Sequence, residues 1–510
     1  MGIARQVLSV HKGSSAGSLY APEMKFAARR PIRFKFRAIL ERGHLGFLLV
    51  LLAGCARYHP QPLSPAQTAE RFENRSLTNA ALRTFLETNL HREITPWPAA
   101  TWDFDMLTLA ALYYHPSLEV ARAQWAVAQG GEVTAGQRPN PTLTVTPGYD
   151  TTTTIPSPWI PLTFIDIPIE TAGKRRFRRA QAASLSAAAR RNISSVAWQV
   201  RSNLRTGLLD LAISRQRAAL LEKQFSVQQA VGNAIDQQVQ AGALSSAEAL
   251  PYRIALQKTR LDLADAERMR IEARGRLAEA IGVPVQSLDA VQLDYDWHPP
   301  ADIARELVST GARRTALQSR PDILGALAEY AATEAALQLE IAKQYPDVRL
   351  QPGYQYDQGD NKWSLGIVVD LPILNQNQGA IAEAQARRRE SAARFDALQA
   401  KVLAEIDLAV EELRVTENNA SNFQVLAAEQ IRRRDSVNAE FQAGAVSRLD
   451  LLNAQLEVAS ADLLQLEGQV KLQQALGALE DAVQRPIFGG AAAAALSDSR
   501  LIESPMKENR

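Results

Sequence analysis

Along two long stretches of the chain, apolar residues recur every three or four positions. Val200, Leu204, Leu208 and Leu211 fall on one helical stripe, and Leu398, Val402, Ile406, Val410 and Leu413 on another. Between them lie Arg, Glu and Gln, so the opposite face is solvated. The pattern predicts long helical stretches over 174–241 and 379–442. At about 1.5 Å per residue each spans roughly 100 Å. A helix that long needs partners along its length. Shorter helical patterns follow at 246–281 and 448–483, after Gly-containing turns, and others precede at 103–137 and 305–344.

Ahead of each long helix the period changes to two, in Pro-marked segments at 139–169 and 346–372. Leu143 and Val145 alternate with Thr, and Val348 and Leu350 with Arg349 and Gln351. Trp363, Leu365, Ile367 and Val369 share one face, opposite Ser364, Gly366, Val368 and Asp370. This suits lipid-facing strands with a polar lumen side, and with aromatics such as Trp159 and Trp363 near an interface. Segment 159–169 alternates poorly. Each hairpin alone reads equally well as a soluble amphipathic ribbon; the recurrence in two places favours the membrane reading. Two hairpins give four strands, which cannot close a barrel. An open edge in lipid leaves backbone groups unpaired, so other subunits must complete it, and three chains supply twelve strands.

The plan is written twice. His115-Pro116-Ser117-Leu118 is answered by Arg320-Pro321-Asp322-Ile323, Pro141 by Pro346, and Pro147-Gly148-Tyr149 by Pro352-Gly353-Tyr354. Asp166-Ile167-Pro168-Ile169 is answered by Asp370-Leu371-Pro372-Ile373. Gln240-Ala241-Gly242-Ala243 matches Gln442-Ala443-Gly444-Ala445, Ser245 matches Ser447, and Gly282-Val283-Pro284 matches Gln484-Arg485-Pro486. The offset stays at about two hundred residues, far beyond any solenoid repeat, so each copy is a half-domain. Copy one covers 101–284 and copy two 305–486. The linker 285–304, with Trp297-His298-Pro299-Pro300, is expected to join a belt around the helices.

The N-terminal region adds a compartment. Residues 45–54, LGFLLVLLAG, are too short to span a bilayer but suit a signal-peptide core. Arg29, Arg30, Arg33, Lys35, Arg37 and Arg42 precede them. The run ends in Leu52-Ala53-Gly54-Cys55, which resembles the bacterial lipobox. That resemblance implies cleavage before Cys55 and acylation of its sulfur and amine; a buried helix with an incidental Cys is the competing reading. Residues 1–54 are thus a lipoprotein signal, with Met24 an alternative start, and 55–100 a Pro-rich lipidated extension expected to wrap the outside of the helices. Ala56 in place of Asp resembles the outer-membrane sorting pattern of enterobacterial lipoproteins. Several acyl chains anchor firmly where one binds marginally. Residues 487–510 read as a disordered tail.

Composition narrows the function classes. The 510 residues carry 57 Lys+Arg against 55 Asp+Glu, which argues against a dedicated nucleic-acid binder. One Cys excludes an internal disulfide and a Cys-based zinc site, and the six His lack metal-ligand spacing. No catalytic triad, P-loop or paired catalytic carboxylates stand out. The expected roles are passage and docking, not catalysis, with no cofactor beyond the lipid on Cys55.

Residues 100–486 resemble the TolC-like outer-membrane efflux family. Beside the duplicated plan, Phe441 to Ala454 resembles the family's helical-tip signature, Gly-x-x-Ser-x-x-Asp-x-Leu-x-Ala, with a weaker form at Ala241 to Leu250 where Glu248 stands for Asp450. Ile169-Glu170-Thr171-Ala172-Gly173-Lys174-Arg175-Arg176 resembles the strand-to-helix junction of the heavy-metal branch. The resemblance implies a mainly α protomer with a small transmembrane β part. Three protomers would form an α-barrel across the periplasm, capped by a twelve-stranded β-barrel. The partners it implies are an adaptor of the membrane-fusion type and an inner-membrane RND-type pump.

It also assigns residues. The tip turns at Gly242, Ala243 and Ser245, and at Gly444, Ala445 and Ser447, are docking candidates; the glycines read equally as helix C-caps. Asp450 matches an acidic constriction ring that would favour cations, and Asn453 stands where the family has a second acidic residue. Asp450 also reads as a helix-start carboxylate. Lys174, Arg175, Arg176, Arg178 and Arg179 oppose the dipole of the helix they begin. They are expected to face headgroups, with a solvated helix face as the plainer reading. The competing whole-protein readings are a pore-less periplasmic coiled-coil lipoprotein and a type I secretion duct. Metal cations and drugs stay open as cargo.

Overall fold

The computed structural model describes residues 58–152, 154, 156–294, 310–488, 490, 492 and 496. Cys55, its signal and the 297–300 motif lie outside them. Residues 1–64 form one unit, of which 58–64 are described and carry no helix or strand; the second unit runs from Pro65. Its first half contains α1 (Pro65–Glu73), α2 (Ala80–Leu90), β1 (Thr101–Trp102), α3 (Phe104–Tyr114) and α4 (Pro116–Gly136). Then come β2 (Thr142–Thr146), β3 (Leu162–Ile169), α5 (Lys174–Gln240), α6 (Ser246–Ile281), a tight turn at Val285–Leu288 and β4 (Gln292–Leu293). The second half has α7 (Thr310–Ser319), α8 (Pro321–Ala342), β5 (Val348–Asp357), β6 (Asp360–Val369), α9 (Gln378–Gln442) and α10 (Arg448–Val483).

The single helix expected over 103–137 is broken. A residue before proline is pushed out of the α region, and His115 is extended at φ −69, ψ 123. Its ring accepts from the Ser117 amide at 3.3 Å, so His115 caps α4, while Pro116 sits where no amide hydrogen is needed. Arg320 is likewise extended ahead of Pro321, at φ −60, ψ 127, though without a side-chain cap, and separates α7 from α8.

α5 is the spine. α4 and α6 lie end to end along it and meet at His115 and Gly282. A Cβ on Gly282 would lie 3.0 Å from the His115 Cα, and φ there is +85, so glycine alone fits. α8 and α10 also lie end to end along α5, joined where the Arg320 guanidinium donates to the Ala482 carbonyl. α9 packs on α8 and α10. The lateral order is therefore α4 with α6, then α5, then α8 with α10, then α9. Among the described residues α9 does not pack along α4 or α6.

The four strands form one antiparallel sheet in the order β2-β3-β5-β6. Ile167 sits opposite Leu350, itself opposite Ile367; Ile169 aligns with Val348 and Val369, and Leu143 with Ile165. Side chains alternate faces along a strand, so these residues make one apolar face. Ile165, Ile167 and Ile169 are exposed on it, giving the alternation that 159–169 obscures in the sequence. The other face is polar: Arg349 reaches Asp166 at 3.5 Å and Asp370 at 3.7 Å.

The main core lies half-way along the long helices, where the paired ranks join. Leu77, Leu82 and Leu86 are fully buried there with Trp102, Leu107, Leu204, Leu277 and Leu479. From Leu77 onward the extension sinks Leu77, Leu82, Leu86 and Ile94 into this core, while Ala80, Ala81, His91 and Arg92 stay exposed. Arg75 secures it by donating to the carbonyls of Tyr114 and Gly282, at 2.9 and 2.8 Å. The tail is also corrected at its start. Ile487, Phe488 and Ala492 are buried, and the Ala492 amide donates to Asp105 at 2.9 Å.

An ion cluster threads this core. Arg201 donates to Glu480 at 2.9 Å, and both side chains are wholly inaccessible. The Arg201 guanidinium lies 4.6 Å from the Phe104 ring centre and reaches the Phe488 carbonyl. Arg205 adds Glu480 at 3.6 Å and Asp481 at 2.5 Å. Gly477 makes the room: a Cβ would stand 2.7 Å from Arg205 Nε. The cluster joins α3, α5, α10 and the tail. Glu480→Ala leaves two buried guanidinium groups short of their carboxylate and should lower unfolding free energy by about 3–5 kcal/mol. Denaturant unfolding in detergent checks this; a loss near zero would mean the cluster is not packed as described.

Candidate functional site

Both long helices end at the same end of the molecule, in the same turn. At the end of α5, the Gly242 amide donates to Val239 O at 3.0 Å and the Ala243 amide to Gln238 O at 2.9 Å. Gly444 and Ala445 repeat this on Phe441 and Glu440 at 3.0 and 2.9 Å. This is the Schellman closure. Both glycines have φ +75, and nothing lies within 4 Å of where a Cβ would project. The glycines are required by conformation, not crowding, and Ala243 and Ala445 are exposed beside them.

The next helices start with matched capping boxes. Ser245 caps α6: its amide and hydroxyl donate to Glu248 at 2.9 and 2.8 Å, and its Oγ accepts from the Glu248 amide at 3.2 Å. Ser447 caps α10 in the same way on Asp450, at 2.9, 2.7 and 3.2 Å. The Ser447 side-chain bond, then its backbone bond, hold the Asp450 carboxyl below its ordinary value. The Ser245 backbone bond, then its side-chain bond, do so for Glu248. Asp450 therefore has a local capping role, which uses one of its two oxygens. Asn453 is half-buried one turn on, along the same face. A small apolar cluster of Val231, Ile235, Ala249 and Leu452, with Leu244 and Leu449 against it, ties the two tips together. Sequence reasoning missed that cluster, although its spacing is helical.

The basic cluster lies at the far end of α5, roughly 100 Å away at about 1.5 Å per residue. Three of its members are engaged internally. Lys174 is buried and donates to Tyr345 O at 2.6 Å and Asp347 at 2.7 Å. Arg175 donates to Gly136 O at 2.7 Å. Arg178 takes Ala135 O at 3.1 Å and Gln137 O at 3.1 Å, and grips Glu170 at 2.7 Å. Arg175 and Arg178 thus satisfy carbonyls at the C-terminus of α4, where cations are favourable. That explains cations at the start of α5, and it corrects the headgroup expectation for these three. Arg176, which stacks on Phe177 at 4.7 Å, and Arg179 are exposed. With Arg175, Glu132, Ala180 and Ala183 they line an open cavity of about 450 Å³.

Among the described residues no helix is long and apolar enough to cross a membrane, and no group of three or more His, Cys, Asp or Glu could hold a metal. Residues 108–283 and 312–483 match the model of the outer membrane efflux protein family. The chain belongs to that family. Its two matched blocks follow the duplication.

Relatives of this outer membrane efflux protein include the cobalt-zinc-cadmium resistance protein CzcC of Cupriavidus metallidurans. The two are 24% identical over 296 residues, 57% of this chain and 69% of the relative. The nodulation protein T of Rhizobium leguminosarum bv. viciae is 26% identical over 51% of this chain and 55% of its own. The pyoverdine export outer membrane protein OpmQ of Pseudomonas putida is 27% identical over 53% and 60%. The match thus spans little more than half the length of the latter two. The fold is shared with the outer-membrane channel OprN (TM-score 0.62, 17% identity, 86% of this chain and 99% of that one). It is also shared with VceC of Vibrio cholerae (TM-score 0.61, 18% identity, 74% and 95%). CusC is similar at TM-score 0.58 and 17% identity, over 84% and 99%. As a member of that family the protein is an outer membrane efflux protein.

The capping geometry carries a pH prediction. A depressed carboxyl pKa stabilises the fold above the unfolded value and loses that contribution as pH falls through the folded value. Hydrogen-exchange protection of the first turn of α10 should fall as pH drops below the ordinary aspartate value of 3.8. Ser447→Ala should lower the protection about fivefold at neutral pH and flatten its pH dependence. Wild-type protection at neutral pH in that variant would refute the cap.

Proposed function

We propose that three copies assemble into a continuous duct, with the tips at its periplasmic mouth and a twelve-stranded barrel in the outer membrane. One observation carries this: a four-stranded sheet with an exposed apolar face and a free edge at each end, β2 and β6. Open edges and an apolar face are stable in lipid only when the sheet is closed. The two outer helical ranks repeat the logic, since among the described residues α4 with α6, and α9, each pack against helices on one side only. A side that differs from its partner closes a ring through head-to-tail contacts. Acylated Cys55 anchors each chain. Arg176 and Arg179 face headgroups at the inner leaflet, a role left to them once Lys174, Arg175 and Arg178 are bound internally.

The tips dock a periplasmic membrane-fusion adaptor, which links the duct to an inner-membrane RND-type pump. Ala243 and Ala445 present the docking surface. Metal cations are the cargo best supported, through the likeness to the cobalt-zinc-cadmium resistance protein. Likeness to a pyoverdine exporter supports small organic solutes as the second reading. Cells lacking the chain should become sensitive to cobalt, zinc or cadmium; sensitivity to organic compounds alone would select the second. Photo-crosslinkers at Ala243 and Ala445 should capture the adaptor. Capture of peptidoglycan-associated proteins only would favour a pore-less scaffold.

Three Asp450 carboxylates form the constriction and favour cations. Asp450→Ala should raise conductance and weaken cation preference in planar bilayers. Asp450→Asn keeps an acceptor for the Ser447 cap while removing the charge, so it should lose cation preference with less change in conductance. Unchanged conductance and selectivity in both variants would leave Asp450 a helix cap alone.

A further inference from the structure

The two long helices start alike in backbone and differ in charge. Gly173 and Asn377, at φ 73 and φ 62, are the left-handed caps of α5 and α9, so the helices align from there. Arg175, Arg176 and Arg179 then correspond to Gly379, Ala380 and Glu383, and Ala183 to Arg387. In copy two the cation is matched within its own helix, because Arg387 pairs with Glu383. In copy one the same face is open. Ala180 and Ala183 line the cavity of about 450 Å³ with small side chains, and Arg175, Arg176 and Arg179 stand around it. Arg175 is held by the Gly136 carbonyl and Arg176 by the Phe177 ring. Arg179 runs beside Gly136, where a Cβ would lie 3.9 Å from its Nε. Glu132 lines the cavity from α4, and its counterpart in copy two is the buried Leu337. Among the described residues Arg176, Arg179 and Glu132 form no ion pair.

We infer that this cavity holds one phosphoethanolamine headgroup per chain, its phosphate between Arg176 and Arg179 and its ammonium at Glu132. The inference rests on the headgroup role proposed above for the two arginines, and narrows it. A leaflet surrounds both copies alike, so a diffuse attraction would keep cations at the start of both long helices. A cluster confined to one copy marks a discrete site. The lining carries both signs, which selects a ligand that does too. Guanidinium forks match phosphate oxygens, while the Glu132 carboxylate repels a bare anion and welcomes an ammonium a short linker away. The volume suits a group of that size. Position favours a lipid as its source. The exposed apolar face of the sheet runs to Ile169, and α5 begins just beyond at Lys174, so the cavity borders the part of the chain suited to lipid.

Native mass spectrometry of the full-length protein in detergent, titrated with phosphatidylethanolamine or phosphatidylglycerol, tests this. The wild type should retain one phosphatidylethanolamine per chain. Its preference over phosphatidylglycerol should be about fivefold, the upper value of one exposed ion pair. Glu132→Gln should erase the preference and still bind phosphatidylglycerol. Arg176→Ala with Arg179→Ala should lose both lipids, and Lys at both positions should recover part of the binding. Circular dichroism matching the wild type separates lost binding from lost fold. Equal retention of the two lipids by the wild type, unchanged in Glu132→Gln, overturns the ethanolamine assignment and leaves the headgroup role standing. Unchanged retention in the double alanine variant overturns the headgroup role as well. Displacement of the lipid by an equal concentration of inorganic phosphate overturns the lipid source and puts a free anion in the cavity.

Discussion

A helix of 67 residues cannot bury its own apolar stripe, and the architecture follows from how α5 solves that problem. Its stripe would face water for roughly 100 Å at about 1.5 Å per residue. Two shorter helices end to end cover one flank, and two more cover the other. Each join leaves helix ends that need satisfying. Gly282 turns left-handed against His115 at one join, and Arg320 reaches the Ala482 carbonyl near the end of α10 at the other. The largest apolar cluster sits around these joins, where chain ends, loops and the N-terminal helices can be packed together.

The cluster of Arg201, Arg205, Glu480 and Asp481 sits in that same region. Burying such charges costs several kcal/mol per ion, so their value is not simple stabilisation. Their geometry is directional, whereas apolar stripes can slide past each other by a turn. A bond from α5 to α10, extended to the tail carbonyl of Phe488, sets the axial alignment of one repeat against the other.

Much of the helical plan is legible in the chain because period and punctuation agree. The spacing of Val200, Leu204, Leu208 and Leu211 and the Gly-Ala-x-Ser turns mark helices whose ends are decided locally. The break at His115 was also readable, since the residue before a proline resists the α conformation. Arg201 and Glu480 were not readable as a pair. They are 279 positions apart, and each looks like part of a solvated face until the tertiary fold covers it. The basic run after β3 misled for a related reason: Arg175 and Arg178 serve the C-terminus of α4, a helix whose end approaches theirs only in three dimensions. At the tips, Ser447 and Asp450 were visible as a motif, but its reciprocal hydrogen bonds emerge only from the coordinates.

Those tips hold their shape through main-chain amides, two left-handed glycines and a pair of serines with their acidic partners. The side chains at Ala243 and Ala445 contribute nothing to that hold and point into open space. Shape and surface identity are thereby decoupled. Evolution can rewrite the exposed side chains at the end of the helix, one residue at a time, while the turn beneath them stays folded. A protein of this build can change that surface without relearning how to fold.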